Sequence, residues 1–417
     1  MFPTQTKVAA KTVSKKPQYE VADIFRTFSE EYCKKHNLPL SHLKVMHAIQ
    51  ICRTAALGGH RERCESCGFE RNAYNSCRNR HCPKCQALTK AKWLERRKAE
   101  LLPVKYFHNV FTLPHEINPL ARCNKKILYS LLFKAIAETI EQFSANSKNG
   151  LGGKSGFIAI LHTWDQKLLD HLHIHCLIPA GVISFDRSSW IQTKNNFLFS
   201  VKALSKVFRG KFIDFLKNSF KDGSLIFPGL VSHLETEKGF TNLINQLWKK
   251  EWVVYSREAF DEPENVLDYL GRYTHRVAIA NHRIVKIVNN LVTFWYKDRS
   301  DGGKRKTITV SAEEFIRRFL LHVLPHSFMR IRHYGFMANR CRKENLSLCK
   351  KLIGFENNHV RKHEESMQEI MLKLTGIDIL ACPCCKKGRM RKGDELPKPI
   401  LENWYMPQSK PGINDSS

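Results

Sequence analysis

Hydrophobic and polar positions alternate along Asp170-His171-Leu172-His173-Ile174-His175-Cys176-Leu177-Ile178, and a period of two marks a strand. On a strand His171, His173 and His175 share one face, while Leu172, Ile174, Cys176 and Ile178 line the other and can pack into a core. Residues 157–164 form a second strand-like run that leads through residues 165–169 into the histidine strand, so the two are expected to pair antiparallel. Asp165 and Gln166 then lie near the start of the histidine row, with His162 placed to face it. A third run, residues 105–113, ends at Pro114.

Helical spacing predicts two helices over residues 18–57, carried by Val21, Ile24, Phe25 and Phe28 and by Leu43, Val45, Met46, Ile49 and Ile51. Further helices are expected over residues 86–102, 124–143, 201–220 and 239–252. Pro263 and the acids after it suit another helix start. There Tyr269 and Tyr273 share a face, with Arg272 and Arg276 in a parallel row; two core aromatics would give the same pattern. Residues 283–310 read as a three-stranded meander with turns at Asn289-Asn290 and Asp301-Gly302-Gly303. Ser311 and Glu314 read as a capping box that opens a helix to about Leu324, stopped by Pro325.

The chain has 417 residues, room for two or three domains, and 42% of them are hydrophobic, enough for a sizeable core. Its 68 Lys and Arg against 39 Asp and Glu leave a net charge of +29, which favours a polyanionic partner such as nucleic acid. An acidic membrane surface is the competing partner, but no apolar run has bilayer-spanning length and no signal-peptide pattern precedes the first helix. Residues 1–17 read as a disordered basic tail. Of the 14 cysteines, five lie between Cys64 and Cys85 and three between Cys382 and Cys385. Such clustering argues for metal thiolates in a reducing, cytoplasmic compartment rather than a disulfide framework.

Cys64-x2-Cys67 and Cys82-x2-Cys85 are two knuckles separated by fourteen residues, the pattern of a structural Zn2+ ribbon. They are the first choice of ligands, and His60, Cys77 and His81 remain for a second site or to replace one thiolate. Residues 76–98 carry eight Lys or Arg against one Glu, Arg78 and Arg80 among them, a composition suited to phosphates. Residues 315–362 hold eleven Lys or Arg against two Glu. Within them Arg330-Ile-Arg332-His-Tyr334-Gly335 sets an aromatic among cations, which suits a nucleic-acid strand. Cys382, Cys384 and Cys385 resemble half of another knuckle with no evident partner pair. No phosphate-binding or dinucleotide loop is present, so no nucleotide cofactor is expected.

A metal held by two histidines with open positions can bind a phosphodiester oxygen as a Lewis acid. A nearby tyrosine hydroxyl can then attack the phosphorus, giving a 5′-phosphotyrosine and a free 3′ hydroxyl. The linkage keeps the ester, so rejoining needs no nucleoside triphosphate. A second tyrosine one turn away can take part in a second cleavage.

His173-Ile174-His175 is similar to the HUH motif of rolling-circle nucleases, and Tyr269-Leu-Gly-Arg-Tyr273 to their paired-tyrosine motif. The segment from Ser76 to Gln86, with Tyr273-Thr-His-Arg276-Val-Ala and residues 330–335, resembles the rolling-circle insertion-sequence transposases with a zinc ribbon. The resemblance covers about residues 20–390. It implies an α+β fold in which an HUH endonuclease domain, a central five-stranded antiparallel sheet flanked by helices, occupies residues 104–325. An N-terminal helical and zinc-binding module (18–103), a basic DNA-binding region (326–395) and a disordered tail (396–417) complete it. It makes His173 and His175 metal ligands and Tyr269 and Tyr273 nucleophiles. His171, Asp165 and Gln166 remain candidates for the third ligand, with Mg2+ or Mn2+ as the catalytic ion. Arg78, Arg80, Arg272, Arg276, Arg330 and Arg332 are expected DNA contacts. The expected partner is single-stranded DNA at the ends of the element, and the expected location is the cytoplasm, on the nucleoid. A plasmid replication initiator or relaxase shares the chemistry, and a non-catalytic zinc-dependent DNA-binding regulator would explain only the charge and the ribbon.

Overall fold

The computed structural model describes residues 17–98, 100–193, 198–260, 266, 271, 277–355, 366–376 and 378–399. In chain order the helices are α1 (Val21–Lys35), α2 (Leu40–Gln50), α3 (Pro83–Lys98), α4 (Asn118–Cys123), α5 (Lys125–Ala145), α6 (Val201–Lys221), α7 (Glu237–Lys249), α8 (Ala312–Leu321), α9 (Arg342–Leu352) and α10 (Met367–Thr375). The strands are β1 (Gly59–Cys64), β2 (Glu70–Tyr74), β3 (Tyr106–Thr112), β4 (Gly153–Lys154), β5 (Gly156–Trp164), β6 (Asp170–Pro179), β7 (Gly181–Ser184), β8 (Trp190–Gln192), β9 (Val254–Phe260), β10 (Ile284–Val288), β11 (Leu291–Asp298), β12 (Lys304–Ser311), β13 (Ile331–Gly335) and β14 (Met390–Leu396). The architecture is mixed helix and sheet, with antiparallel sheets and an N-terminal thiol-rich module.

The central sheet has the order β13-β5-β6-β3-β9, every pair antiparallel, so the histidine strand β6 is its middle strand. The alternation along β6 sorts its two faces as the pattern requires. Leu172, Ile174, Cys176 and Ile178 join Phe107, Phe111, Ala159 and Leu161 in a core covered by the apolar stripes of α5 and α6. Burying a side chain such as Phe111 or Ile174 there contributes about 1.5–3 kcal/mol. The opposite face is apolar only at one end, where Tyr106, Ile158, Ile160 and Leu177 pack against Val266 and against Leu346 and Cys349 of α9. At its other end that face carries the histidines.

The N-terminal helices brace more than the module that follows them. Ile24, Phe25, Met46 and Ile49 pack with Cys52, Cys82 and Cys85, and also with Trp164, Phe294, Phe315 and Phe319 of β5, the meander and α8. The meander has the expected order β10-β11-β12. Its following helix is capped by half a box. Ser311 accepts from the Glu314 N–H at 3.1 Å, whereas the Glu314 carboxylate turns to Arg317 and Arg318.

Two segments of the basic region after residue 325 are strands of antiparallel sheets. Residues 331–335 are the edge strand of the central sheet, paired with β5 from Ile331↔Ile160 to Gly335↔Gly156. Residues 390–396, placed by the pattern across the border of a disordered tail, form the third strand of the N-terminal sheet, order β14-β1-β2. No helix among the described residues is long and apolar enough to cross a membrane.

Candidate active site

The turn between β5 and β6 sets the register of the site. Asp165 Oδ1 accepts from the N–H groups of Lys167 and Leu169 at 2.8 and 2.7 Å, and Leu168 takes φ 63°. This closes the hairpin so that His162 of β5 lies directly across from His173 of β6, and Ile160 across from His175. His162, His173 and His175 thereby converge, each offering a ring nitrogen within 4.8 Å of the others'. All three are buried on the polar face.

Their rings are held by neighbours. The His173 Nδ1–H donates to the carbonyl of His171 at 2.7 Å, which puts the lone pair of the neutral ring on Nε2. His175 Nδ1 lies 2.9 Å from Nε2 of His108 on the adjacent strand β3, the two rings stacked. Burial pushes His108 down to about 4, so it is neutral at neutral pH. A ligand histidine whose other nitrogen is hydrogen-bonded has a fixed orientation and tautomer, the usual support of a metal site.

Two clefts, each of about 630 Å³, open beside the row. One is lined by Asn118, Arg122, Lys167 and Arg317, the other by Thr112, Lys250, Trp252 and Tyr255, and Arg299 borders both. Arg122 is tied to Asp170, Arg317 to Glu314 and Lys250 to Glu116, so the cations are held at the rim rather than free to collapse on the histidines. Such a cleft suits a phosphodiester strand lying across a metal.

The structure sorts the expected residues. The His171 ring lies against that of His173, centres 4.6 Å apart and tilted by 46°, but it stands at the mouth, half-buried, and His162 completes the buried cluster. Asp165 is used by the turn, and the backbone carbonyl of Gln166 accepts from Arg283. Tyr269, Tyr273, Arg272 and Arg276 lie outside the described residues. Arg78 is exposed. Arg80 is not a surface contact: it donates to the carbonyls of Phe328 at 2.7 Å and Pro325 at 3.4 Å. Arg330 is buried, and Arg332 stacks over the rings of Phe133 and Phe328 at 4.2 and 5.0 Å. These three arginines are engaged in packing because residues 331–335 are a strand of the central sheet and residues 325–330 lead into it.

The cysteines also part from expectation. Cys64 and Cys67 do not meet Cys82 and Cys85. Instead Cys82 and Cys85 join Cys52 and Cys77, and Cys64 and Cys67 face Cys382 and Cys385. Four thiolates at 2.3 Å from one zinc stand about 3.8 Å apart. In the first group Cys52 and Cys77 lie 3.5 and 3.6 Å from Cys85, which fits a structural zinc. Neither His60 nor His81 joins a cluster among the described residues: His60 faces Glu62 and His81 accepts from the Leu324 N–H.

His108, Tyr255, Arg299 and Cys52 escaped the sequence reading. A hairpin centred between residues 167 and 168 does pair 162 with 173, so His162 had a signal. Cys52, twenty-five residues before Cys77 in no knuckle, had none.

A family model described as a transposase zinc-binding domain matches residues 24–113, and one described as a putative transposase matches residues 156–345. The chain is 47% identical over 378 residues to the putative transposase y4qJ of Sinorhizobium fredii (strain NBRC 101917 / NGR234), covering 89% of this chain and 94% of that protein. It is 26% identical over 332 residues to the transposase for insertion sequence element IS801 of Pseudomonas savastanoi pv. phaseolicola, 78% of each chain. No solved structure matches it significantly.

Proposed function

Since this chain belongs to the rolling-circle family of insertion-sequence transposases with a zinc-binding domain, we propose that it nicks and rejoins single-stranded DNA at the ends of its element through a 5′-phosphotyrosine. The observation that carries this reading is the buried cluster of His162, His173 and His175 at the centre of a five-stranded antiparallel sheet, with a cleft on either side. That placement supports an HUH endonuclease domain. The three histidines would hold the catalytic ion, which when bound supplies positive charge to a non-bridging oxygen of the scissile phosphate.

The chain's own groups do the rest. His108 and the His171 carbonyl hold two ligand rings in a fixed orientation. Arg122 and Arg299 at the rim hold the flanking phosphates. A tyrosine hydroxyl, Tyr269 or Tyr273, loses its proton and attacks phosphorus in line, and the 3′ oxygen leaves and takes up a proton. The reverse attack by a 3′ hydroxyl restores the strand and frees the tyrosine, so no nucleotide is consumed. Three imidazoles favour Mn2+ over the harder Mg2+. Arg78, Arg272 and Arg276 remain proposed DNA contacts, with the zinc module as reader of the ends.

The test is a covalent adduct on a denaturing gel, using the purified chain, a labelled single strand carrying an element end, and Mn2+ or Mg2+. A band that survives boiling is expected with wild type and with His171→Ala, and its loss with His162→Ala and with Tyr269→Phe/Tyr273→Phe. An adduct that persists in the double tyrosine variant would overturn the mechanism. An adduct lost in His171→Ala and kept in His162→Ala would reassign the third ligand.

A further inference from the structure

We propose that Cys64, Cys67, Cys382 and Cys385 hold a second zinc ion, which closes a three-stranded ribbon from two stretches more than three hundred residues apart. The matched zinc-binding domain ends at residue 113, so half of this ligand set lies outside it.

The sulfur geometry is that of a tetrahedron. Cys64 and Cys385 are 3.7 Å apart, as are Cys67 and Cys382, and all four sulfurs lie within 4.8 Å of one another. A zinc–sulfur distance near 2.3 Å requires about 3.8 Å along each edge. A disulfide requires about 2.05 Å, and all four cysteines are free thiols.

The two halves are built alike, although nothing in their sequences beyond the Cys-x2-Cys spacing says so. In the first, the Gly68 N–H donates to the Cys64 carbonyl at 3.1 Å, and the Cys64 N–H to the Phe69 carbonyl at 2.8 Å. In the second, the Lys386 N–H donates to the Cys382 carbonyl at 3.0 Å, and the Cys382 N–H to the Gly388 carbonyl at 2.9 Å. The residue after the second cysteine is left-handed in both, with φ 69° at Gly68 and 57° at Lys386. A lysine adopts that conformation at a cost, and local strain of this kind persists where the surroundings enforce it. The Gly388 N–H also donates to the Cys385 sulfur at 3.3 Å. A Cβ on Gly388 would stand 2.5 Å from the Cys64 sulfur, so the backbone closes tightly over the thiols.

Burial alone does not explain the ribbon. Strand β14 pairs with β1 from Cys64↔Met390 to Gly59↔Leu396, with a register shift between Glu62 and His60. Yet among the described residues the buried apolar cluster here comprises Met390 and the cysteines themselves, Cys64 and Cys382, with Cys385 against them. Most of β14 and every other residue of β2 are exposed. Three short strands with so small a core need a crosslink or a metal to hold together. The ribbon therefore forms only once residues 382–396 have joined the N-terminal knuckle.

The test uses the full chain loaded with Co2+, whose thiolate charge-transfer absorption reports cysteine sites and is silent for the histidine cluster. It is paired with zinc content by mass spectrometry. The Cys382→Ser/Cys385→Ser variant is expected to lose half of the charge-transfer intensity and one equivalent of zinc. Cys384→Ser, at an exposed thiol outside the cluster, should lose neither. Unchanged metal in the double variant, equal loss in Cys384→Ser, or two disulfides in place of zinc in protein purified under reducing conditions would overturn the proposal. If both cysteine sites are lost together, Cys382→His, which keeps a zinc ligand, restores the second equivalent if the proposal holds and fails to if it does not.

Discussion

His322 shows how a single residue holds the β5–β6 hairpin. Its Nδ1 lies 3.1 Å from Thr163 Oγ1 on β5, and its Nε2 lies 3.0 Å from the carbonyl of Leu168 in the turn. Burial pushes its pKa down to about 4, against about 6.5 in an unfolded chain. Between those values the unfolded chain binds a proton that the folded chain refuses. The stabilisation is therefore complete above about pH 6.5 and is lost as pH falls toward 4, by about 3 kcal/mol for this group. His42 and His333, pushed by burial to about 3 and about 4, act in the same sense. Urea midpoints should fall between pH 7 and pH 5. His322→Asn should be less stable at pH 7 and fall by less, with the remaining slope left to the other buried histidines, His108 among them. An identical pH dependence in the variant would remove His322 from this role.

At the scale of elements, the segment that carries Cys77 and Cys82 also joins the zinc-binding module to the central sheet. Arg80 and His81 bind the backbone of the segment that leads into β13, at Phe328, Pro325 and Leu324, and Lys125 of α5 binds the same segment at Val323. A hydrogen bond from a charged donor contributes about 1.5–3 kcal/mol. Arg80→Ala is expected to lower stability by about that much in chemical denaturation. It should leave the salt dependence of DNA binding unchanged, because the guanidinium is turned inward. A shallower salt slope in Arg80→Ala would instead return this arginine to the DNA. The sequence marked Arg80, Arg330 and Arg332 as basic and aromatic-flanked. Charge composition, however, does not distinguish a guanidinium facing solvent from one stacked on Phe133 or capping carbonyls.

For the whole molecule, the net charge of +29 makes electrostatics the sequence-independent part of DNA affinity. Each phosphate contacted on a single strand contributes a slope of about −0.7, so five contacts predict about a hundredfold loss of affinity between 50 and 200 mM salt. Fluorescence anisotropy with a labelled single strand at graded salt checks this, and a flat response would leave the charge without its proposed partner. The central sheet also depends on distant segments, since β13 pairs with β5 only after the meander and α8 have been traversed.

Local periodicity alone determined the histidine strand, its antiparallel neighbour, the meander and the helices over the core. A strand's two faces and a helix's stripe are written in residues two to four positions apart. Thiol spacing alone determined that the chain has zinc chemistry. Tertiary structure decided which cysteines share an ion, because Cys64 meets Cys385 across 321 residues and Cys52 belongs to no short motif. It also decided that His108 supports the histidine row, since β3 pairs with β6 only through chain that passes over the core. A metal site is a meeting of atoms in space, and sequence spacing specifies that meeting only where the ligands share one turn or one strand.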